Sequence, residues 1–151
     1  LGGYFGSRLN KVIREEKGYT YGIQACLAGR ADDAYISIST QCNARYTWPL
    51  IAEVKKAMQQ LKTAPLPQAE LDAVKQYMYS DLVKTLDTPF NTAGYVGSCF
   101  LFGIYPQYFN DQVKAIDAMT GDDVMETAHK YFDIDKMRIV IAGDNNSIKN
   151  N

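Results

Sequence analysis

Two alternating runs, "YTYGIQACLA" and "AYISISTQC", flank the short polar connection "GRADD" and constrain the fold more than any other feature of the chain. Alternation sends successive side chains to opposite faces, so each run reads as a half-buried strand. The Gly- and Asp-rich connection reads as a hairpin turn. With the turn centred between Ala31 and Asp32, Ile23, Ala25 and Leu27 share one face with Ile36, Ile38 and Thr40. Gln24 then shares the other face with Ser37 and Ser39. One face is core and the other polar, as in an antiparallel sheet covered on one side. The same register puts Tyr21 on the core face.

Before the hairpin stands "LGGYFGSRLNKVIREEKGYTYG". Leu1, Tyr4, Phe5, Leu9, Val12 and Ile13 recur at helical spacing, which predicts a helix over 1–17 with Gly18 as its stop. Within such a helix Gly2, Gly3 and Gly6 would each cost about 1 kcal/mol relative to Ala. At about 100° per residue, the core stripe centres near Phe5, Leu9 and Val12. Gly3, Ser7, Asn10 and Arg14 fall together opposite it. That face is either a solvent face whose glycines admit a neighbouring element, or one wall of a cleft into which Arg14 reaches. Tyr21, just past the Gly18 turn, could stand near Arg14, and the two would offer donors to a carbonyl or a carboxylate.

Downstream the pattern is mostly helical. Thr47 and Pro49 mark the start of a helix over 48–62, with Leu50, Ile51, Val54, Met58 and Leu61 as its buried stripe. "TAPLPQ" is a stiff connector to a helix over 68–86 with Leu71, Val74, Met78 and Leu82 on one face. "DTP" restarts the chain into an almost uncharged helix over 89–103, whose Gly94, Gly97, Ser98, Phe100 and Phe102 suggest burial on most sides. A short helix over 107–116 follows. Thr120 caps a last helix reaching 132, with acids in its first turn. "MRIVIAG" reads as a closing strand, and 145–151 as a polar tail after a domain over 1–144. Three strands make a poor sheet with a half-buried face. The expectation is therefore the latter part of a larger α+β domain, missing its N-terminal strands, or one that needs another chain to complete the sheet.

Composition excludes more than it selects. The chain has 151 residues, enough for one domain with a core, and a formal net charge of −1, which gives no basic footprint for nucleic acid or an anionic membrane. The longest near-apolar run, 99–105, is too short to span a bilayer. No charged segment followed by an apolar one precedes the first helix, so no signal peptide is expected. The compartment is not readable; the expectation is a soluble protein, cytoplasmic or periplasmic if bacterial. Cys26, Cys42 and Cys99 are too scattered for a disulfide framework and are expected as small buried hydrophobes. His129 is the one histidine, so the chain cannot build a zinc-hydrolase site alone. No metal ligand and no bound cofactor is assigned to it.

The opening stretch resembles the signature of the C-terminal, non-metal half of the M16 (pitrilysin/insulinase-like, mitochondrial-processing-peptidase-like) metallopeptidases. Gly2-Gly3, Ser7-Arg8-Leu9, Ile13-Arg14-Glu15, Gly18 and Tyr21 stand in that family's order. "LPQAELDAVKQYMYSDLVKTLDTPF" and "VKAIDAMTGDDVMETAHKYFDIDKMRIVIAGD" are similar to its later helices and closing strand. The resemblance implies a two-layer α+β fold of the LuxS/metallopeptidase type, an antiparallel-rich sheet covered by helices. It implies that Zn2+ lies on a partner half bearing H-x-x-E-H, from the same precursor or a separate subunit, and that this chain is inactive by itself. Arg14 and Tyr21, at the matching positions, would donate to the scissile carbonyl of a peptide or unfolded protein substrate. Tyr19 falls at a variable position. The alternative is a non-proteolytic, core-subunit-like relative in which the fold serves assembly.

Overall fold

The computed structural model describes residues 1–29, 33–105, 107–144 and 147–148. The chain divides into two units, Leu1–Ala64 with Glu126–Asn151, and Pro65–Met125.

In the first unit, strands β1 (Thr20–Gly29) and β2 (Ala34–Cys42) form an antiparallel pair. Ile23 faces Thr40, Ala25 faces Ile38 and Leu27 faces Ile36, while Gln24 faces Ser39 and Cys26 faces Ser37. That is the register the alternation requires; the turn centre, 30–32, lies outside the described residues. The covered face is shorter than expected. Ile23 is buried and Ala25 and Ile38 are half-buried, but Leu27 is 75% exposed and Ile36 is exposed too. Cover reaches only as far as the helices beneath the sheet extend.

Those helices supply the core. Helix α1 (Thr47–Thr63) buries Leu50, Val54, Ala57, Met58 and Leu61, the expected stripe except that Ile51 is half-buried and Ala57 joins it. Leu50, Val54, Ala57 and Met58 cluster with Leu9, Ile13 and Ile23, and Phe132, Ile134 and Met137 pack against that cluster. Leu9 and Ile13 are completely buried. Burying side chains of this size stabilises the fold by roughly 1.5–3 kcal/mol each.

The opening segment departs from a plain helix. Residues 1–7 are bends and turns, and helical structure begins at 8. Asn10–Glu16 is a π-helix, closed by i→i+5 bonds. Gly2, Gly3 and Gly6 therefore carry no helix penalty. Gly2 instead permits a close approach: a Cβ there would lie 2.9 Å from Ala25 Cβ and 3.0 Å from Ala25 N. The Ala25 amide donates to the Gly2 carbonyl at 2.9 Å, so the turn segment runs against β1. Gly18, at φ +63°, ends the π-helix, and the Tyr19 amide donates back to the Ile13 carbonyl at 2.9 Å. This is the glycine stop the sequence requires.

The expected closing strand over 137–143 does not form. Its residues are irregular, with Val140 92% exposed, because a strand needs a neighbour's backbone groups and none of the described strands pairs with it. The Lys62 Nζ donates to the Phe132 carbonyl at 2.7 Å, and the Trp48 indole donates to the Ile148 carbonyl at 3.2 Å.

The second unit holds α2 (Gln68–Lys84), α3 (Pro89–Leu101), α4 (Tyr108–Ala118) and the start of α5 (Gly121–Tyr131). Thr88 caps α3 by accepting from the Asn91 amide at 3.1 Å. Lys75 donates to the Asp117 carbonyl at 2.8 Å and the Tyr79 hydroxyl donates to the Asp117 carboxylate, tying α2 to α4. Tyr95 of α3 meets Phe109 of α4 edge to face at 6.1 Å. Burial of α3 on most sides is corrected: of its residues only Cys99 is buried, and Phe90 and Phe100 are 89% and 91% exposed. Three helices do not provide enough neighbouring surface to enclose one of them. At the start of α5, Thr120 and Asp123 cap each other, with Asp123 accepting from the Thr120 amide at 2.8 Å and hydroxyl at 2.6 Å. The Thr120 hydroxyl, then its amide, hold the Asp123 carboxyl below the usual carboxylate range. Among the described residues no helix is long and apolar enough to cross a membrane.

Candidate functional site

The decisive local event is a bulge at the start of β1. Thr20 faces Cys42, yet Ile23 faces Thr40, so three steps along β1 match two along β2. An extra residue in one strand reverses the inward–outward alternation across it. Ile23 stays inward, and Tyr21, which regular alternation would carry inward with it, turns out and is fully exposed. The expected core-facing position of Tyr21 is thereby corrected.

Tyr21 and Arg14 line one open recess of about 770 Å³, together with Phe5, Gly18, Tyr19 and Tyr46 among others. Its supports are visible in the local sequence. The Arg14 guanidinium lies 3.9 Å from the centroid of the Phe5 ring, and its side chain is 31% exposed. Glu15 approaches Arg14 only to 3.8 Å, beyond hydrogen-bond distance. Tyr19 and Tyr46 stack at 4.7 Å between centroids, joining the start of β1 to the turn before α1. Lys17 pairs with Glu53 at 3.1 Å; the hydrogen bond to Glu53, then its charge, hold the ammonium above the ordinary lysine range.

The polar face expected beside Arg14 splits. Ser7 and Asn10 are buried, not part of a cleft wall, and Gly3 is exposed with open space where a Cβ would stand. The Asn10 amide nitrogen donates to the Ile23 carbonyl at 2.8 Å, and its oxygen accepts from the Ile23 amide at 3.3 Å. Asn10 thus satisfies the edge of β1 next to the bulge, as a neighbouring strand would. Its position inside a helical stretch, where asparagine is a poor former, was the one available signal for this role. Tyr46 and Phe5 carried no such signal.

Of the cysteines, only Cys99 is buried; Cys42 is half-buried at the recess and Cys26 is exposed, since the polar face of the hairpin is open. His129 is exposed on α5. Among the described residues no three His, Cys, Asp or Glu side chains gather to hold a metal.

A family model described as peptidase M16 inactive domain matches residues 1–78, just over half of the chain. The chain belongs to the peptidase M16 inactive-domain family. The match covers the whole recess, from Phe5 to Tyr46. Solved structures extend the likeness of this M16 inactive domain further along the chain. A peptidase M16 inactive domain from Pseudomonas fluorescens is similar at a TM-score of 0.77 and 23% identity, over 90% of this chain and 32% of its own. A protease from Helicobacter pylori gives 0.73 and 21%, over 87% and 32%. A conserved protein from Enterococcus faecalis gives 0.70 and 15%, over 84% and 29%. The chain spans about a third of the length of these structures, and at these identities the likeness is one of fold. No curated protein matches it.

Proposed function

We propose that this chain is the substrate-binding, non-metal half of a zinc-dependent M16-type metalloendopeptidase, with Arg14 and Tyr21 donating to the scissile peptide carbonyl. The observation that supports this most is that both side chains line one recess, Tyr21 being turned into it by the bulge. The zinc this reading requires does not fit the described residues of this chain, which gather no ligand set, so it is assigned to a partner half bearing H-x-x-E-H.

The chemistry of this half is binding and charge stabilisation. As a peptide carbonyl is attacked, negative charge grows on its oxygen, and fixed donors are most effective when aimed at that position. The guanidinium edge of Arg14 and the hydroxyl of Tyr21 are two such donors, of which only the first is ionised. Dividing them from the metal means that the working site assembles only when the halves close, which also excludes water.

Mixing this chain with an H-x-x-E-H half and following an internally quenched peptide tests the reading. Cleavage is expected from the pair and from neither half alone. A stable complex that leaves the peptide intact would favour the assembly alternative, for which the exposed Phe90 and Phe100 of α3 provide apolar surface.

A further inference from the structure

The recess contains a contact that the two donors do not account for. Phe5 is an aromatic ring 64% exposed to water, outside the core cluster, with the Arg14 guanidinium 3.9 Å from its centroid. We propose that Phe5 is the positioning residue of Arg14, and that the glycine-rich turn before the π-helix exists to hold that ring in place. The inference rests on the reading of Arg14 as a carbonyl donor.

The chemistry of the contact suits that role. A ring covering the face of a guanidinium leaves its N–H groups, which lie in its plane, free to donate at the edge. The alternative neighbour, Glu15, would occupy those same edge donors, but it stands at 3.8 Å. Phe5 therefore fixes Arg14 without consuming the hydrogen bonds a substrate needs, and with the Glu15 carboxylate standing at 3.8 Å.

The turn is anchored on both sides of Phe5. On one side the Gly2 carbonyl accepts from Ala25, and the Leu1 carbonyl accepts from the Leu9 amide at 3.0 Å. On the other, the Ser7 amide and the Asn10 side chain donate back across Phe5 to the Tyr4 carbonyl, at 3.1 Å and 3.2 Å. A Cβ at Gly6 would lie 2.9 Å from the Tyr4 ring, so the residue after Phe5 is small where the turn closes on itself. Asn10, which braces β1 beside the bulge, thus also fixes the segment bearing Phe5.

The test uses the whole chain paired with its metal-bearing half and an internally quenched peptide that the wild-type pair cleaves. Phe5→Leu is expected to lower kcat about two- to fivefold, the range of an exposed cation–π contact, and to leave KM within about twofold. Phe5→Trp, which keeps a ring face, is expected to retain wild-type kcat. Phe5→Leu should add nothing in an Arg14→Ala background. Independently of cleavage, the Arg14 Nε–H proton should show an upfield ring-current shift in 15N-edited NMR spectra, kept in Phe5→Trp and lost in Phe5→Leu. Wild-type kcat in Phe5→Leu, when Arg14→Ala is impaired, overturns the inference alone. So does an equal fall in the Arg14→Ala background, or an unshifted Nε–H proton. Unimpaired cleavage by Arg14→Ala overturns the proposed function and the inference with it.

Discussion

The two units of this chain are built from the same kinds of residue and behave as opposites. The unit of Leu1–Ala64 with Glu126–Asn151 concentrates its buried side chains in one cluster and contains two irregular elements, the π-helix Asn10–Glu16 and the bulge before Ile23. The unit Pro65–Met125 consists of regular helices with few enclosed residues and wide exposure along α3. Irregular backbone persists only where the surroundings over-determine it, and in the first unit Leu9, Ile13 and Asn10 do so from inside. The recess lies on that well-supported irregular ground.

Core truncation should separate the units most strongly. Ile13→Ala removes a completely buried side chain beneath the π-helix and is expected to cost roughly 2–5 kcal/mol in urea unfolding, whereas Cys99→Ala in α3 should cost far less. Equal costs would break the comparison. Asn10→Ala, leaving the Ile23 amide and carbonyl without their side-chain partner, is expected to cost roughly 1–3 kcal/mol and to speed hydrogen exchange at Ile23. In the second unit one close approach is backbone against backbone: a Cβ at Gly121 would stand 2.5 Å from the Leu66 carbonyl oxygen. Gly121→Ala should therefore destabilise by roughly 1–3 kcal/mol, and loss of exchange protection confined to α2 and α4 would sharpen the division.

The smallest effect expected is electrostatic. Asp123 has its carboxyl pKa lowered by Thr120, so the folded state favours the charged form. Its contribution is present above the ordinary carboxylate pKa and fades as pH falls through the lowered folded value. Asp123→Asn should flatten the acid limb of a stability-versus-pH curve slightly and leave the neutral plateau's slope unchanged. An unaltered acid limb would show that the Thr120–Asp123 cap adds nothing measurable to this unit.

What was legible in the sequence follows the same division. The hairpin register from Ile23 to Ile36 was readable because alternation has a period of two and the turn centre determines every pairing. The helices α1 to α5 were readable within a few residues from their stripes, from the "DTP" restart and from Thr120 as a cap. Arg14 and Tyr21 were singled out as candidates through resemblance, and spacing alone left them undecided. The turn over 1–7 and the burial of Asn10 were missed because a period of about 100° per residue was applied to a stretch that is first turn and then π-helix. The bulge has no signature beyond Gly22, and it decides which way Tyr21 points. Apolar composition did not reveal how little of α3 is covered, nor that 137–143 finds no strand beside it among the described residues, because both depend on neighbours that composition does not describe.

The central claim is that one recess presents Arg14 and Tyr21 together to a peptide carbonyl. Steady-state cleavage by the chain paired with its metal-bearing half, comparing wild type, Arg14→Ala, Tyr21→Phe and the double variant, tests it directly. Each single change is expected to lower kcat about 10²- to 10³-fold, as loss of one oxyanion donor does, with unfolding midpoints near wild type. Wild-type kcat in the double variant would contradict the claim.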